Sequence, residues 1–362
     1  MGSTITRRSS EQPTPQSAAE GEPLLDQRGK PVPEAPALVS WLPERAPVSH
    51  GRAPAGWPLS AAGTSLEPRG LVDRGPAALL EVTGPERESW MQGVQTADLR
   101  AIPAGGAQRT LFLNARGRAV SDGLLWRLSD KLLLEVPPSR LVPLQQHLDA
   151  LLIMEDAALA VADGMGALRL CPSGAAEILA GLSPAQRELF AAIRGAPTPL
   201  GFELLLPAAQ AAELLAALPL RPAPGALELQ RVALGVPAWA VDFDENSTPL
   251  EAGLDAQIAF GKGCYVGQEV IAMATYRGRV PWNLVRLEVE GMAPPVGSAL
   301  DTARGGKGKV TSAAPLGERA LLLGLVHREK IEPDSTVLLA DGRTATVLGL
   351  PFGSRPGAGT RG

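Results

Sequence analysis

The alternation of apolar and polar positions divides the chain into stretches of different character. From residue 1 to about 60 no period is sustained. Pro, Gly, Ser and Ala dominate, so the segment reads as a disordered tail or wrapping arm, with Trp41-Leu42-Pro43 and Trp57-Pro58 as local docking points. Regular patterning begins near Gly70. Residues 77–82 (AALLEV) predict a strand that runs into the turn Thr83-Gly84-Pro85, and residues 85–92 predict a helix with Thr83 as N-cap. Residues 110–114 predict a strand, 115–118 a turn, and 123–128 with 131–136 a hairpin about Ser129-Asp130. Leu141, Leu144, Leu148, Leu151 and Leu152 recur at helical spacing, so 139–152 predicts an amphipathic helix. His147 lies beside that stripe with no partner nearby and reads as a surface or core-edge side chain.

From residue 157 the order repeats. Strands are expected over 157–162, 167–171 and 201–206, and helices over 173–182, 184–193 and 208–218, the last stopped by Pro219. Cys171 ends a strand before Pro172 and reads as a buried structural thiol. Beyond residue 280 the helical period stops. Five short strands (283–289, 308–312, 320–326, 335–339 and 344–348) separated by Gly and Pro turns suggest a small barrel. Strands and helices mixed with hairpins, without regular βα alternation, give an α+β class. The expected division is a tail over 1–60 and a first α+β domain over 61–155, completed by 225–279. A second α+β domain over 156–224, a barrel over 280–351 and a flexible end over 352–362 follow.

Composition narrows the chemistry. The net charge of −4 argues against nucleic acid as a main ligand, because phosphate binding needs a basic surface. Cys171 and Cys264 are the only cysteines, and His50, His147 and His327 are scattered far from both. No disulfide framework, metal site or self-contained iron–sulfur cluster is expected, and a reducing, cytoplasmic setting fits. No apolar run approaches the roughly 20 residues that span a bilayer. Glu11, Glu20, Glu22 and Asp26 argue against an organelle transit peptide. With no heptad and no long apolar edge, a monomer is expected.

The densest group of unusual residues is KGCYVGQE, residues 262–269. Gly261, Gly263 and Gly267 let a backbone turn sharply or approach a ligand closely. Lys262 favours a thiolate at Cys264 if the two side chains converge. Tyr265 offers a flat face to a heteroaromatic ring, and Gln268 and Glu269 offer polar groups to the ring edge. The same residues also suit a Gly-rich turn before a helix or strand over 270–275, with Cys264 merely packed.

Those eight residues match completely the K-G-C-Y-x-G-Q-E signature of the YgfZ family, which the chain therefore resembles. The flanks agree: TPLEAGL at 248–254, Arg231 with Gly235-Val236-Pro237, Tyr276-Arg277-Gly278, NARGR at 114–118 with Asp122, QTAD at 95–98, and GFE at 201–203. The resemblance runs from about residue 70 to 350. It implies the fold of the glycine-cleavage T-protein: two ferredoxin-like α+β domains and a C-terminal barrel around a central hole that holds tetrahydrofolate. It also implies a tie to the assembly or repair of iron–sulfur enzymes. Carried over residue by residue, Asp122 matches the carboxylate facing the reactive folate nitrogens, and Arg231 a position in the folate site. Lys262 and Cys264 match the signature pair. Asp98 lies near the same cavity or serves structure, and Glu251 braces its loop or touches ligand. Two positions depart from the pattern. Met273 stands where the family has arginine, and Thr198-Pro199-Leu200 where the T-protein has an acidic folate-gripping group.

The resemblance leads to a tetrahydrofolate-binding accessory protein for iron–sulfur client proteins, with Cys264 as the reactive thiol. A folate-dependent one-carbon transferase or demethylase using Asp122, and a non-catalytic scaffold that only binds partners, are the alternatives. The two departures weigh against aminomethyl transfer.

Overall fold

The computed structural model describes residues 60–61, 64–65, 69–172, 183–185, 195–217, 225–277, 280–300 and 308–354. The expected tail over 1–59 lies outside them, as do nearly all of the helices expected over 173–193 and the chain end from 355.

A short ladder of β1 (Ser60–Ala61) and β2 (Thr64–Ser65) precedes three larger sheets. The first is antiparallel, in the order β5-β6-β7-β4-β8. Its strands are β4 (Leu79–Thr83), β5 (Ala107–Leu113), β6 (Ala119–Arg127), β7 (Leu132–Glu135) and β8 (Ala158–Ala162). One face is apolar because Leu80, Val82, Phe112, Leu125 and Leu134 alternate with residues facing the other way. Two helices cover that face, α1 (Arg87–Val94) through Trp90 and Met91, and α2 (Leu141–Asp149) through Leu144 and Leu148. The N-cap of α1 is Glu86, with no side-chain cap, and not the expected Thr83; the chain leaves β4 through Gly84 before the first helical turn.

The second sheet runs in the order β10-β11-β9-β3. It comprises β3 (Arg69–Pro76), β9 (Met165–Pro172), β10 (Gly195–Thr198) and β11 (Gly201–Pro207). Helix α3 (Ala208–Ala217) packs on it through Ala211 and Leu214, close enough that a Cβ on Gly166 would stand 2.7 Å from the Ala211 Cβ. The boundary between the sheets differs from the one expected at residue 156. Strand β8 pairs with β4 in the first sheet, whereas β3, which precedes the first sheet in the chain, pairs with β9 in the second. The apolar pattern fixes that a short segment is a strand, but its partner is a long-range choice that period does not encode.

Between the two sheets, Leu124, Trp126 and Leu133 of the first pack against Ala196 and Leu205 of the second. Helix α4 (Ala226–Leu234), a segment the sequence pattern leaves unassigned, ends at Gly235 with φ +72° and lays Leu229, Val232 and Ala233 on the third sheet. That sheet is antiparallel in the order β13-β14-β12-β16-β15. Its strands are β12 (Trp282–Glu290), β13 (Lys309–Leu316), β14 (Arg319–His327), β15 (Thr336–Leu338) and β16 (Thr344–Gly349). Ala299 bridges to Lys309 at one edge and Leu300 to Leu339 at the other, which ties the two edge strands together. No helix among the described residues is long and apolar enough to cross a membrane.

Candidate functional site

The face of the first sheet turned toward the second is not wholly apolar. Arg109 on β5, Asp122 on β6 and Glu135 on β7 share it with Leu124, Trp126 and Leu133. Across from them the second sheet offers Arg74 on β3, Arg169 on β9 and Glu203 on β11. Arg74 Nη1 bonds both Glu135 (2.6 Å) and Glu203 (2.7 Å), Arg169 Nε bonds Glu203 (2.7 Å), and Arg109 Nη2 bonds Asp122 (2.5 Å). Three cations and three carboxylates therefore meet between the sheets. The pairing is incomplete: Asp122 Oδ1, Glu135 Oε2 and Arg109 Nε are buried with no partner among the described residues. Buried polar atoms in native proteins are nearly always satisfied, so unpaired acceptors at one place point to a group that completes them. Burial raises the Asp122 carboxyl above the ordinary carboxylate range, opposed chiefly by the Arg109 charge and more weakly by Arg74.

The signature segment docks on the far end of the same face. Leu111 lies opposite Asp122 in the β5–β6 ladder, and Leu111 and Leu113 share a buried cluster with Tyr265 and Ile271. The segment is pinned by Val266 N donating to Gly93 O (3.1 Å) and Ala259 N to Thr96 O (2.9 Å). It leads into helix α5 (Gln268–Arg277), so the helical alternative for 270–275 holds. Two glycines explain why NARGR and KGCYVGQE occur in one chain. At Gly267 (φ +81°) a Cβ would fall 2.7 Å from Asn114 O, and at Gly117 (φ +68°) one would fall 2.8 Å from the Val270 Cβ. The two motifs need backbone contact with each other, which only glycine permits.

Docking turns the signature side chains in opposite directions. Lys262 points inward: its ammonium is held by the carbonyls of Gln92 (2.6 Å) and Gln95, the last turn and C-cap of α1. It thereby satisfies carbonyls that a helix C-terminus leaves open. Tyr265 is also buried, with the Lys262 ammonium 5.1 Å from its ring centre, and burial pushes its hydroxyl up to about 12. It has no exposed face on which a ligand ring could stack. Cys264 is exposed, so the expected convergence with Lys262 is replaced by divergence: Gly263 between them, at φ +103°, breaks the extended alternation that would put both on one side, and the lysine is committed to α1. Gln268, half-buried, opens α5 with its N–H donating to Tyr265 O (3.1 Å).

Burial pushes Lys262 down to about 8, with the Asp98 carboxylate pulling the other way. The unfolded chain then binds the extra proton between about pH 8 and 10.5, and stability contributed at this site rises with pH across that window. Relative to Lys262→Met, wild type is expected to gain up to about 1.4 kcal/mol per pH unit there, read from urea unfolding. A flat difference would mean that the Gln92 and Gln95 carbonyls hold the proton.

The remaining expected ligand residues have structural partners. Arg231 is fully engaged: Nε and Nη2 bond Glu228 (2.9 and 2.6 Å), Nη1 bonds Val236 O (2.9 Å) and Asp242 (2.5 Å), and Nη2 bonds Ser312 (2.5 Å). A guanidinium has five N–H donors, so none is left for folate, and the expected ligand role gives way to a clamp between α4 and β13. Asp98 accepts from Gln92 Nε2 (2.8 Å) and Arg100 N (3.2 Å) and caps the short turn at Leu99–Ala101. Glu251 accepts from Thr248 Oγ1 (3.0 Å), which braces its loop, and lines a separate cavity of about 430 Å³ with Asp244, Trp282 and Lys309.

No protein-family model matches the chain. It is 27% identical over 321 residues to the tRNA-modifying protein YgfZ of Serratia proteamaculans, covering 82% of this chain and 95% of that one. It is 29% identical over 220 residues to the mitochondrial iron–sulfur cluster assembly factor IBA57 homolog of Pyricularia oryzae, covering 56% of this chain and about half (53%) of that relative. The glycine cleavage system aminomethyltransferase T of Bartonella henselae superposes with a TM-score of 0.64 at 22% identity, over 79% of this chain and 86% of that one. The chain is similar to YgfZ-type proteins and has a T-protein-like fold. In this chain the YgfZ-like signature is a docked loop that buries Lys262 and Tyr265 and presents Cys264, while unsatisfied polar atoms of three neighbouring side chains meet at Asp122. Arg74, Arg109 and Glu135 were not singled out from the sequence. Their signal was there, as charged residues on strands such as LLLE that are otherwise apolar.

Proposed function

We propose that this chain binds tetrahydrofolate at the inter-sheet carboxylates and serves the assembly or repair of iron–sulfur client proteins, with Cys264 meeting the partner. The observation that carries the reading is the unpartnered Asp122 Oδ1 beside a second unpartnered acceptor, Glu135 Oε2. A reduced pterin ring carries N–H donors on one edge, and buried carboxylate oxygens fit such donors. Asp122 and Glu135 would hold that edge, with Arg109 keeping Asp122 in place. When bound, the folate would supply a ring nitrogen able to accept a one-carbon unit. The iron–sulfur part rests on the name of the Pyricularia relative. The Serratia relative is named for tRNA modification, but a net charge of −4 favours a protein partner over RNA for the chain itself. We take the chain as a monomer acting in the cytoplasm, a reducing compartment that suits one buried and one exposed free thiol.

One observation favours a transferase as the second reading. A carboxyl raised by burial is better suited to taking and returning a proton than an ordinary one. Calorimetric titration with tetrahydrofolate separates the folate readings from a scaffold that binds only partners. For the thiol, Cys264→Ala is expected to fail in cellular complementation scored by the activity of an iron–sulfur enzyme. Full rescue would remove Cys264 from the function.

A further inference from the structure

Arg74 occupies an unusual position. It lies on β3, an edge strand of the second sheet, yet its guanidinium reaches Glu135 of the first sheet and Glu203 of its own. The backbone is shaped for this. The β3–β9 register slips between Asp73 and Pro76, Gly75 takes φ +79°, and Gly75 N donates to Asp73 Oδ1 (2.8 Å). Such a bulge re-aims the side chain it carries.

The partners differ in freedom. Side-chain exposure is 34% for Arg74 but 6% for Glu135 and 4% for Glu203. The guanidinium can swing into water; the carboxylates cannot follow. Glu203 would keep Arg169 if Arg74 left. For Glu135 the described residues offer no second side-chain partner, because Oε1 is bonded to Arg74 and Oε2 is already unpaired. An uncompensated buried carboxylate is costly, so Arg74 stays until another donor replaces it.

Resting on the folate reading above, we propose that Arg74 is the gate of the inter-sheet site. It acts as a built-in occupant of Glu135, one of the two carboxylates the ligand needs, and a ligand with an N–H donor edge displaces it. The gate also selects. An apolar group or an anion cannot replace a cation on Glu135, whereas the amino-pyrimidinone edge of a reduced pterin can. The closed population lowers the apparent affinity in proportion to the fraction that is open.

The test is calorimetric titration of the full chain with tetrahydrofolate, and with p-aminobenzoylglutamate, which lacks the pterin ring. Arg74→Met is expected to bind tetrahydrofolate about tenfold more tightly than wild type, as removal of a gate closed nine-tenths of the time requires. Arg74→Lys, which keeps the charge beside Glu135 but cannot fork to both carboxylates, is expected to fall between them and covers the case in which Arg74→Met fails to fold. The p-aminobenzoylglutamate affinity is expected to stay unchanged in both variants. Equal or weaker tetrahydrofolate binding by the folded variants, with binding still weakened in Asp122→Ala, overturns the gate alone. A matching gain for p-aminobenzoylglutamate overturns it as well. Absence of binding in wild type and every variant overturns the folate site and the gate with it.

Discussion

Replacing Arg231 with alanine is expected to destabilise the protein by about 3–5 kcal/mol while leaving tetrahydrofolate affinity of the folded fraction unchanged. The side chain of Asp242 is wholly buried. Its Oδ2 accepts from Arg231 Nη1 and Ala238 N, and its Oδ1 from Thr311 and Ser312. Without Arg231 that carboxylate keeps its neutral donors and loses its countercharge. The Glu228 pair contributes far less, because that side chain is half exposed and solvent screens it. The loss should appear as a lower urea midpoint with the slope preserved. Asp242→Asn in the Arg231→Ala background should recover part of it by removing the stranded charge. A loss of folate affinity in a variant shown to be folded would return Arg231 to the ligand site.

Asp122→Ala is expected to weaken tetrahydrofolate binding by about 10–100-fold, the effect of losing one charge-assisted hydrogen bond of about 1.5–3 kcal/mol in a buried site. Asp122→Asn keeps the shape and one acceptor and should lose less. Stability provides an independent check. Because burial raises the Asp122 carboxyl, the folded state holds a proton that the unfolded chain has released. Wild-type stability contributed here therefore falls as pH rises from the unfolded value through the folded one. Wild type should accordingly gain on Asp122→Asn as the pH is lowered from 7 toward 4, measured by urea unfolding. A difference that does not move with pH would mean that Arg109 keeps the carboxylate ionised throughout.

Local rules read much of this molecule. The β6–β7 hairpin was legible because Ser129-Asp130 breaks two apolar runs, and α2 because its leucines keep helical spacing. Sheet membership was not legible. Nothing in the RGLVDRGP or ALAVA stretches says which sheet edge each will join, and the exchange of β3 and β8 follows from pairings between distant segments. The signature was legible as a name and not as a geometry. Spacing grouped Lys262, Cys264 and Tyr265, but only docking against Gly93, Asn114 and Gly117 decides which side chains are buried. Arg231 was legible as a motif residue, while the four partners of its five hydrogen bonds come from α4, the loop after it and β13. The six-charge cluster draws on six strands, so no window of sequence contains it.

The exchanged edge strand has a consequence for how the protein is made. Synthesis runs from the N-terminus, so β3 leaves the ribosome before any strand it will pair with. The first sheet can close once β8 has emerged, while β3 waits as an open edge for β9. Arg74 meets Glu203 only after β11 follows. A nascent chain stalled before that point would carry Asp122 and Glu135 with one wall of their site missing, and would be unable to retain a ligand between them.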